Sequence, residues 1–471
     1  MSDHDNATHI ATETLSTSAL LRDAAERGVR YREDAPGRQV FPAAAAVAAL
    51  AALDVPMPAH GRDAASVLAD LDRLGSPATV TMAGGRYFGF VNGSSLPATV
   101  AAHWLATAWD QNCALQVMSP TAAAFEERAL LWTLEALRLP TDAAGTFVVG
   151  ATMANFTALA AARHRVFARA GWNVDVDGLH GAPPLTMVVG AEVHSTVRRV
   201  LGLLGVGRSR AVALPVDGQG RIVARDLPRL TGPAIVCLQA GNVNTGAFDP
   251  AGPLCDWAHE HGAWVHVDGA FGLWARAAGR DIAAQADGYE LADSWATDAH
   301  KWLNVPYDCG VSLVRDGDAL RQAMAMTAAY LPPSTGARDP MHYSPDGSRR
   351  ARGVDVWAAL ATLGRDGVEA LVDRCCRHAS RFGVELRAAG HTVLNEVTLN
   401  QVLVHFGDDD TTRRVIAAVQ QEAVCWCGGT NWQGREAMRI SVSSYATTDV
   451  DVAASLASIL ACARRLQGAR G

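Results

Sequence analysis

The sequence predicts an α/β protein built on a mostly parallel, doubly wound sheet, preceded by a helical segment and followed by a smaller α+β unit. Three observations lead there. Short apolar runs alternate with helical stretches through the middle of the chain, the rhythm of strand–helix–strand crossovers. Residues 14–75 show only helical periodicity. After Val354 the alternation gives way to longer helical segments interleaved with β-like runs.

Within the lead-in, the alanine-rich stretch Phe41–Leu53 is amphipathic, and Pro56 and Pro58 break the pattern. The first dozen residues are expected to be disordered. From Arg86 the texture changes. The segment RYFGFVNGSSLPA is aromatic and glycine-rich, a loop or short strand, and helices follow near Ala98–Gln111 and Ala122–Leu137. The strand candidates are Phe147–Gly150, Thr186–Gly190, Arg210–Pro215, Ala234–Leu238, Trp264–Val267, Ser294–Thr297 and Gly310–Arg315. Helices intervene near Ala154–Ala170, Ser195–Leu204 and Pro253–His261. The stretch from Tyr330 to Gly353 is rich in Pro, Gly, Ser and Asp and has no apolar period; a connection of that length is usually functional or mobile. Beyond it come helical segments around Val356–Ala389, the run NQVLVHF, a helix near Thr412–Glu422, the run MRISVSS and a helix from Asp449 to about Leu466. The implied divisions are a helical segment at 1–85, a large domain at 86–353 and a small C-terminal domain at 354–471.

Composition narrows the function. With 49% apolar and 19% charged residues and no apolar run long enough to span a bilayer, the chain reads as soluble, and without a basic-then-apolar leader a cytoplasmic address is expected. A formal charge of −7 without basic clusters argues against nucleic acid or an acidic membrane surface as partner, leaving a small molecule as the expected ligand. Nine cysteines without metal-type spacing read as reduced, mostly buried thiols, and no metal is expected.

One count stands apart. Among 41 lysines and arginines, Lys301 is the single lysine. A GC-rich coding bias explains arginine wherever a generic cation suffices, but arginine stays protonated and cannot act as a nucleophilic amine. The surviving lysine is therefore expected to be chemically required.

Lys301 stands in DSWATDAHKWLNVPYDCG (293–310), about thirty residues after HVDGAFGLWA (266–275). Both segments follow apolar strand candidates. Together they resemble the group II pyridoxal-phosphate-dependent decarboxylases, the family of the aromatic-amino-acid, glutamate, histidine and diaminobutyrate enzymes. The similarity runs from about Tyr87 to Ala446 and rests on the His-Lys-Trp signature with its upstream Asp. It implies the fold shared with aspartate aminotransferase (fold type I): a large domain around a seven-stranded, mostly parallel sheet, a small C-terminal domain, and a homodimer whose subunits complete each other's active sites.

The resemblance also implies roles. Lys301 would form a Schiff base with pyridoxal 5′-phosphate, which a partly desolvated amine is suited to do. Asp268, at a strand's carboxyl end, would pair with the pyridine nitrogen, although Asp in such a place also serves as a helix cap. Ala270 would pack on the ring face. Gly150, Ala151 and Thr152, in GATMAN, would bind phosphate at a helix N-terminus, and His300 would be a second phosphate contact. His194, in AEVHSTVRRV, would stack on the ring, or be a plain cap. In GNVNTGAFD, where Asn242 replaces the family's threonine, Asn244 and Thr245 would contact the cofactor's 3′-oxygen. Phe88 and Asn92 would face the substrate, in a segment shorter than that of the aromatic decarboxylases.

The loop holding the family's proton-donating tyrosine reads ARDPMHYSPDGSRRARGVDVW here. Aligned without gaps, that tyrosine falls near Pro340, so Tyr343 becomes the expected acid and His342 its competitor. The implied reaction is decarboxylation of an L-amino acid to its amine. Aldehyde formation, carbon–carbon cleavage or transamination on the same scaffold are alternatives. A nucleotide-dependent reductase lacks its GxGxxG turn, and a silent binding protein would have no reason to retain Lys301.

Overall fold

The computed structural model describes residues 16–326 and 338–468; the first dozen residues and positions 330–337 of the long connection lie outside the described residues. The lead-in is α1 (Thr17–Asp34), α2 (Ala44–Ala49) and α3 (Ala64–Ala78). Ser16 and Asp63 cap α1 and α3 by accepting the N–H of Ala19 and Ser66. Next come α4 (Pro97–Trp109) and α5 (Pro120–Ala136), each opening on a proline where the missing N–H costs no hydrogen bond.

The large sheet then builds in chain order: β1 (Ala144–Val148), α6 (Ala151–Arg169), the turn α7 (Val174–Asp177), β2 (Thr186–Gly190), α8 (Ser195–Leu203), β3 (Val212–Leu214), β4 (Ala234–Gln239), α9 (Ala251–Glu260), β5 (Trp264–Asp268), the turn α10 (Arg280–Ala283), β6 (Ser294–Asp298), β7 (Gly310–Val314) and α11 (Gly317–Met324). Every expected strand forms. The sheet has seven strands in the order β1-β7-β6-β5-β4-β2-β3, and β7 alone runs against its neighbours. Strands buried on both faces explain the continuous apolar runs. Alternation along β5 serves two layers: Val265 and Val267 enter the larger apolar core, while Trp264 packs with α6, α8 and α11 on the other face.

After the sheet, α12 (Arg352–Ala388) is interrupted at Gly364, whose φ of 61° leaves the helical region. It is followed by β8 (Thr392–Val393), β9 (Gln401–His405), α13 (Asp409–Glu422), β10 (Gly428–Trp432), β11 (Arg435–Ser441) and α14 (Asp449–Gly468). The second sheet is antiparallel, in the order β10-β11-β9-β8. Strand β10 was not foreseen because only Trp432 of its five residues is buried, so no apolar run marks it. The glycine-rich segment near Tyr87 joins this C-terminal sheet. Phe88 donates its N–H to the Trp426 carbonyl (2.9 Å) and accepts the N–H of Ser441 (3.0 Å).

The described half of the long connection is fastened to the body. Gln116 N–H donates to Asp339 (2.8 Å), and Met341 N–H donates to the Ala114 carbonyl (2.9 Å). Arg349 pairs with Glu126 at 2.9 Å, both side chains fully buried, and also donates to the Phe147 carbonyl (2.5 Å). Arg338 reaches Glu126 and the Gly145 carbonyl. Replacing Glu126 with Ala strands Arg349 as a buried, unpaired cation, with an expected loss of about 3–5 kcal/mol. Urea denaturation of Glu126→Ala checks this; an unchanged midpoint would mean that the pair does not hold the connection.

Candidate active site

Parallel strands deliver their following loops to one edge of a sheet, where α/β folds bind ligands. The expected site residues follow that rule. Gly150 follows β1, His194 follows β2, the loop 241–249 follows β4, Asp268 ends β5, and Lys301 lies in the turn after β6.

The Lys301 Nζ lies 3.1 Å from an Asp298 carboxylate oxygen, and Asp298 is almost wholly buried. The other Asp298 oxygen is buried without a hydrogen-bond partner, 3.6 Å from His300 Nε2. His300 Nδ1 accepts the N–H of Cys309 (3.0 Å), so its own proton resides on Nε2 and faces Asp298. Burial pushes the His300 ring below its ordinary range, against the pull of Asp298. Gly150, the N-cap of α6, sits beside this pair: a Cβ there would stand 3.3 Å from His300 Cε1. Gly310 packs its Cα against the Gly150 backbone so closely that any side chain would overlap it. The first N–H groups of α6, with Thr152 among them, thus open next to His300 and Asp298.

Asp268 is buried and forms no ion pair within 4 Å among the described residues. Burial drives its carboxyl upward, opposed by the charges of His194 and Lys301, by the nearby Asn155 amide and by the Ala270 N–H, which donates to it at 3.3 Å. His194 caps α8: its Nδ1 accepts the Thr196 N–H (3.3 Å) and lies 2.7 Å from the Thr196 hydroxyl, which leaves Nε2 as the protonated nitrogen. It is both a cap and a neighbour of the charged groups. Burial lowers its pKa, with Asp268 opposing and Lys301 and Arg439 reinforcing. Arg439, on β11, is a half-buried guanidinium that donates to the Val243 carbonyl (3.3 Å) and makes no ion pair among the described residues.

Asn304 locks the lysine turn. Its side-chain nitrogen donates to the carbonyls of Trp302 (2.7 Å) and Ser443 (2.9 Å), and its oxygen accepts the N–H of Ser94 (3.1 Å) and Tyr445 (2.9 Å). Its backbone is left-handed, φ 56°, a conformation asparagine tolerates well. Gly93 presses against the Lys301 carbonyl with no room for a Cβ.

Residues 48–406 match the family model described as the pyridoxal-dependent decarboxylase conserved domain. The chain belongs to that family. Similar proteins include an L-2,4-diaminobutyrate decarboxylase of Rhizobium meliloti (strain 1021), 28% identical over 435 residues that cover 88% of this chain and 84% of that one. An aromatic-L-amino-acid decarboxylase of Bacillus atrophaeus is 29% identical over 290 residues, 59% of this chain and 58% of its own length. Among solved structures, the rice enzyme TDC with PLP and tryptamine superposes with a TM-score of 0.88 at 21% identity, covering 96% of this chain and 99% of that one. Mouse CSAD gives 0.87 at 20% identity, covering 95% and 98%.

This pyridoxal-dependent decarboxylase is thus a carboxy-lyase of fold type I with pyridoxal 5′-phosphate as its cofactor. Its residues fit that group. The buried Asp298 oxygen without a partner, the buried Asp268 carboxylate without an ion pair, the glycine-opened helix α6 and the lone lysine amine converge on one edge of the sheet.

Three expected contacts of the decarboxylase lie elsewhere. Phe88 is fully buried, edge-on to Phe382 at 5.2 Å, and belongs to the core. Left-handed backbone at Phe90 and Val91 turns the segment, so that the exposed aromatic is Phe90, stacked on Trp426 at 5.3 Å. The Thr245 hydroxyl is engaged within the chain, donating to the Gln219 carbonyl (2.7 Å) and accepting the Ala247 N–H (3.2 Å). Asn242 holds this loop by accepting the N–H of Asn244 and Thr245, and the Asn244 side chain accepts from Thr430 (3.0 Å). Tyr343 packs in the apolar cluster of α6, α8 and α11 beneath the Arg338 guanidinium (4.2 Å), and within this chain it is not brought to Lys301. Its neighbour His342 has a buried, unpartnered Nδ1.

Sequence reasoning missed Asp298, Asn304, Arg439 and Tyr307. Tyr307 donates to Asn92 (2.8 Å) and lies 4.4 Å, ring to ring, from His300. The spacing of Asp298, three residues before Lys301, was the available signal.

If Phe88 is core and Phe90 surface, Phe88→Ala costs about 3–5 kcal/mol of stability, whereas Phe90→Ala loses little beyond its stacking, about 1 kcal/mol. Denaturation midpoints of the two variants check the contrast, and equal losses would contradict it.

Proposed function

We propose that this decarboxylase converts an L-amino acid to its amine and carbon dioxide, with Lys301 as the Schiff-base lysine. The observation that carries this reading is the chain's single lysine amine held 3.1 Å from a buried aspartate at the carboxyl edge of the sheet. Bound pyridoxal phosphate supplies a sink for the electron pair left when a bond to Cα breaks. The chain's residues do the rest. Asp298 anchors the Lys301 amine. Asp268 would hold a proton on the ring nitrogen. The first turn of α6, with Gly150, Ala151, Thr152 and nearby His300, would hold the phosphate, and Ala270 and His194 would pack against the ring. Asn244 and Asn92 border the ring and substrate. Arg439, a half-buried cation without a carboxylate partner among the described residues, would orient the substrate's carboxylate and so select which bond to Cα is broken.

The position of Tyr343 away from Lys301 favours keeping one second outcome in view, aldehyde formation. Mass spectrometry of the product separates the two. The same reading includes a homodimer with shared sites: Trp104, Leu105, Trp109, Val117 and Met118 expose large apolar side chains that a second copy would cover. Light scattering is expected to give twice the chain mass, and a monomer at working concentration would contradict it. Among the described residues no helix is long and apolar enough to cross a membrane, and we place the enzyme in the cytoplasm.

Lys301→Ala is expected to abolish carbon dioxide release, since no second lysine exists to replace it. Asp268→Asn is expected to lower kcat on the order of 10³-fold. Near-normal turnover in either variant would overturn the role assigned to that residue.

A further inference from the structure

A chain of buried polar groups runs behind Asp268. Trp264, His266 and Asp268 share one face of β5 by the alternation of the strand, Ser294 is the register partner of His266 on β6, and Asn155 projects from α6. Asn155, His266 and Ser294 are fully buried, and Trp264 is 1% exposed. Trp264 Nε1 donates to Ser294 Oγ (2.8 Å), His266 Nδ1 lies 2.9 Å from the same oxygen, and His266 Nε2 lies 2.8 Å from Asn155 Oδ1.

The Asn155 oxygen that faces the ring sets the direction of the chain. An indole nitrogen only donates, so Ser294 Oγ accepts from Trp264; with Asn155 Oδ1 against Nε2, that ring nitrogen is the donor, and Nδ1 of the neutral ring accepts the Ser294 hydroxyl. The ring therefore carries its proton on Nε2 and donates it to Asn155 Oδ1. Burial pushes His266 down to about 3, which keeps it neutral with the single proton this arrangement needs. A flipped Asn155 would turn its oxygen, in place of its NH2, toward the Asp268 carboxylate. Its amide nitrogen is buried and makes no hydrogen bond of its own, and from beside Asp268 it favours the charged carboxylate.

We propose that the chain Trp264–Ser294–His266–Asn155 is a positioning relay that presents an N–H donor to Asp268 and fixes its carboxylate, ionised, toward the ring nitrogen of the cofactor. The proposal rests on the reading of Asp268 given above. Asn155 and His266 are positioning residues, and they work through a helix, α6, whose first turn holds the phosphate in that reading. One rigid element thus sets the cofactor at both ends.

The test uses holoenzyme loaded with pyridoxal phosphate carrying 15N in its ring, with the ring-nitrogen chemical shift read beside kcat, KM and thermal midpoint. Asn155→Ala and His266→Leu are expected to move the signal toward the unprotonated ring nitrogen and to lower kcat about 10- to 100-fold, as for loss of a hydrogen bond to a charged group. KM should stay within about twofold. His266→Gln, whose amide can accept from Ser294 and donate to Asn155, is expected to restore most of both readouts. An unchanged ring-nitrogen signal in Asn155→Ala and His266→Leu overturns the relay, as does a His266→Gln variant impaired as deeply as His266→Leu. Asp268→Asn separates the two layers: if it moves signal and rate while Asn155→Ala does not, the relay alone fails. If Asp268→Asn moves neither, the reading of Asp268 fails and the relay with it.

Discussion

The side-chain amide of Asn304 is the tie on which the rest of the site depends. Its side-chain hydrogen bonds join the lysine turn to the segment at Ser94 and to the strand end at Ser443–Tyr445, pieces of chain far apart in sequence. Satisfying all of an amide's capacity in a buried place is worth more than the sum of isolated surface bonds, and leaving any member unpaired costs about 1–3 kcal/mol each. Closing this knot seats Gly93 on the Lys301 carbonyl and sets the backbone from which the amine reaches Asp298. The lysine therefore starts from one fixed place, which chemistry at a single bond of Cα requires.

Electrostatics around that fixed point come in layers. Asp298 and Asp268 are both buried, and a second copy of either charge would be costly without compensation. Lys301 compensates one directly; the other leans on His194, the Ala270 N–H and the Asn155 amide. Structural cations elsewhere are arginines, as at Glu126–Arg349 and at Asp308, which receives Arg350 and Arg352. The planar guanidinium suits those bridging roles, and its permanent charge disqualifies it from the place where the proposed reading needs a nucleophilic amine. The solitary lysine follows from that division of labour.

Much of this was legible in the sequence, for physical reasons that also explain the rest. Strands buried on both faces, such as Thr186–Gly190, announce themselves as apolar runs, whereas β10 buries little beyond Trp432 and does not. Lys301, His300, Asp268, His194 and Gly150 stood at the ends of such runs, and the fold brings them to one edge. Asn304, Arg439 and Asn155 were hidden because their partners lie on distant elements, which no local period records. Phe88 was misplaced because its role came from the family resemblance, whereas here the backbone turns left-handed at Phe90 and Val91 and leaves Phe88 in the core. Thr245 looked available only because its partner, the Gln219 carbonyl, lies well upstream in the chain.

The central claim is that the cofactor is carried by Lys301, and borohydride reduction of the holoenzyme followed by peptide mass spectrometry tests it most directly. Reduction turns a Schiff base into a stable secondary amine and records where it stood. The expected result is a single phosphopyridoxyl group on the peptide containing His300 and Lys301. An adduct on any other residue, or none at saturating cofactor, would contradict the claim.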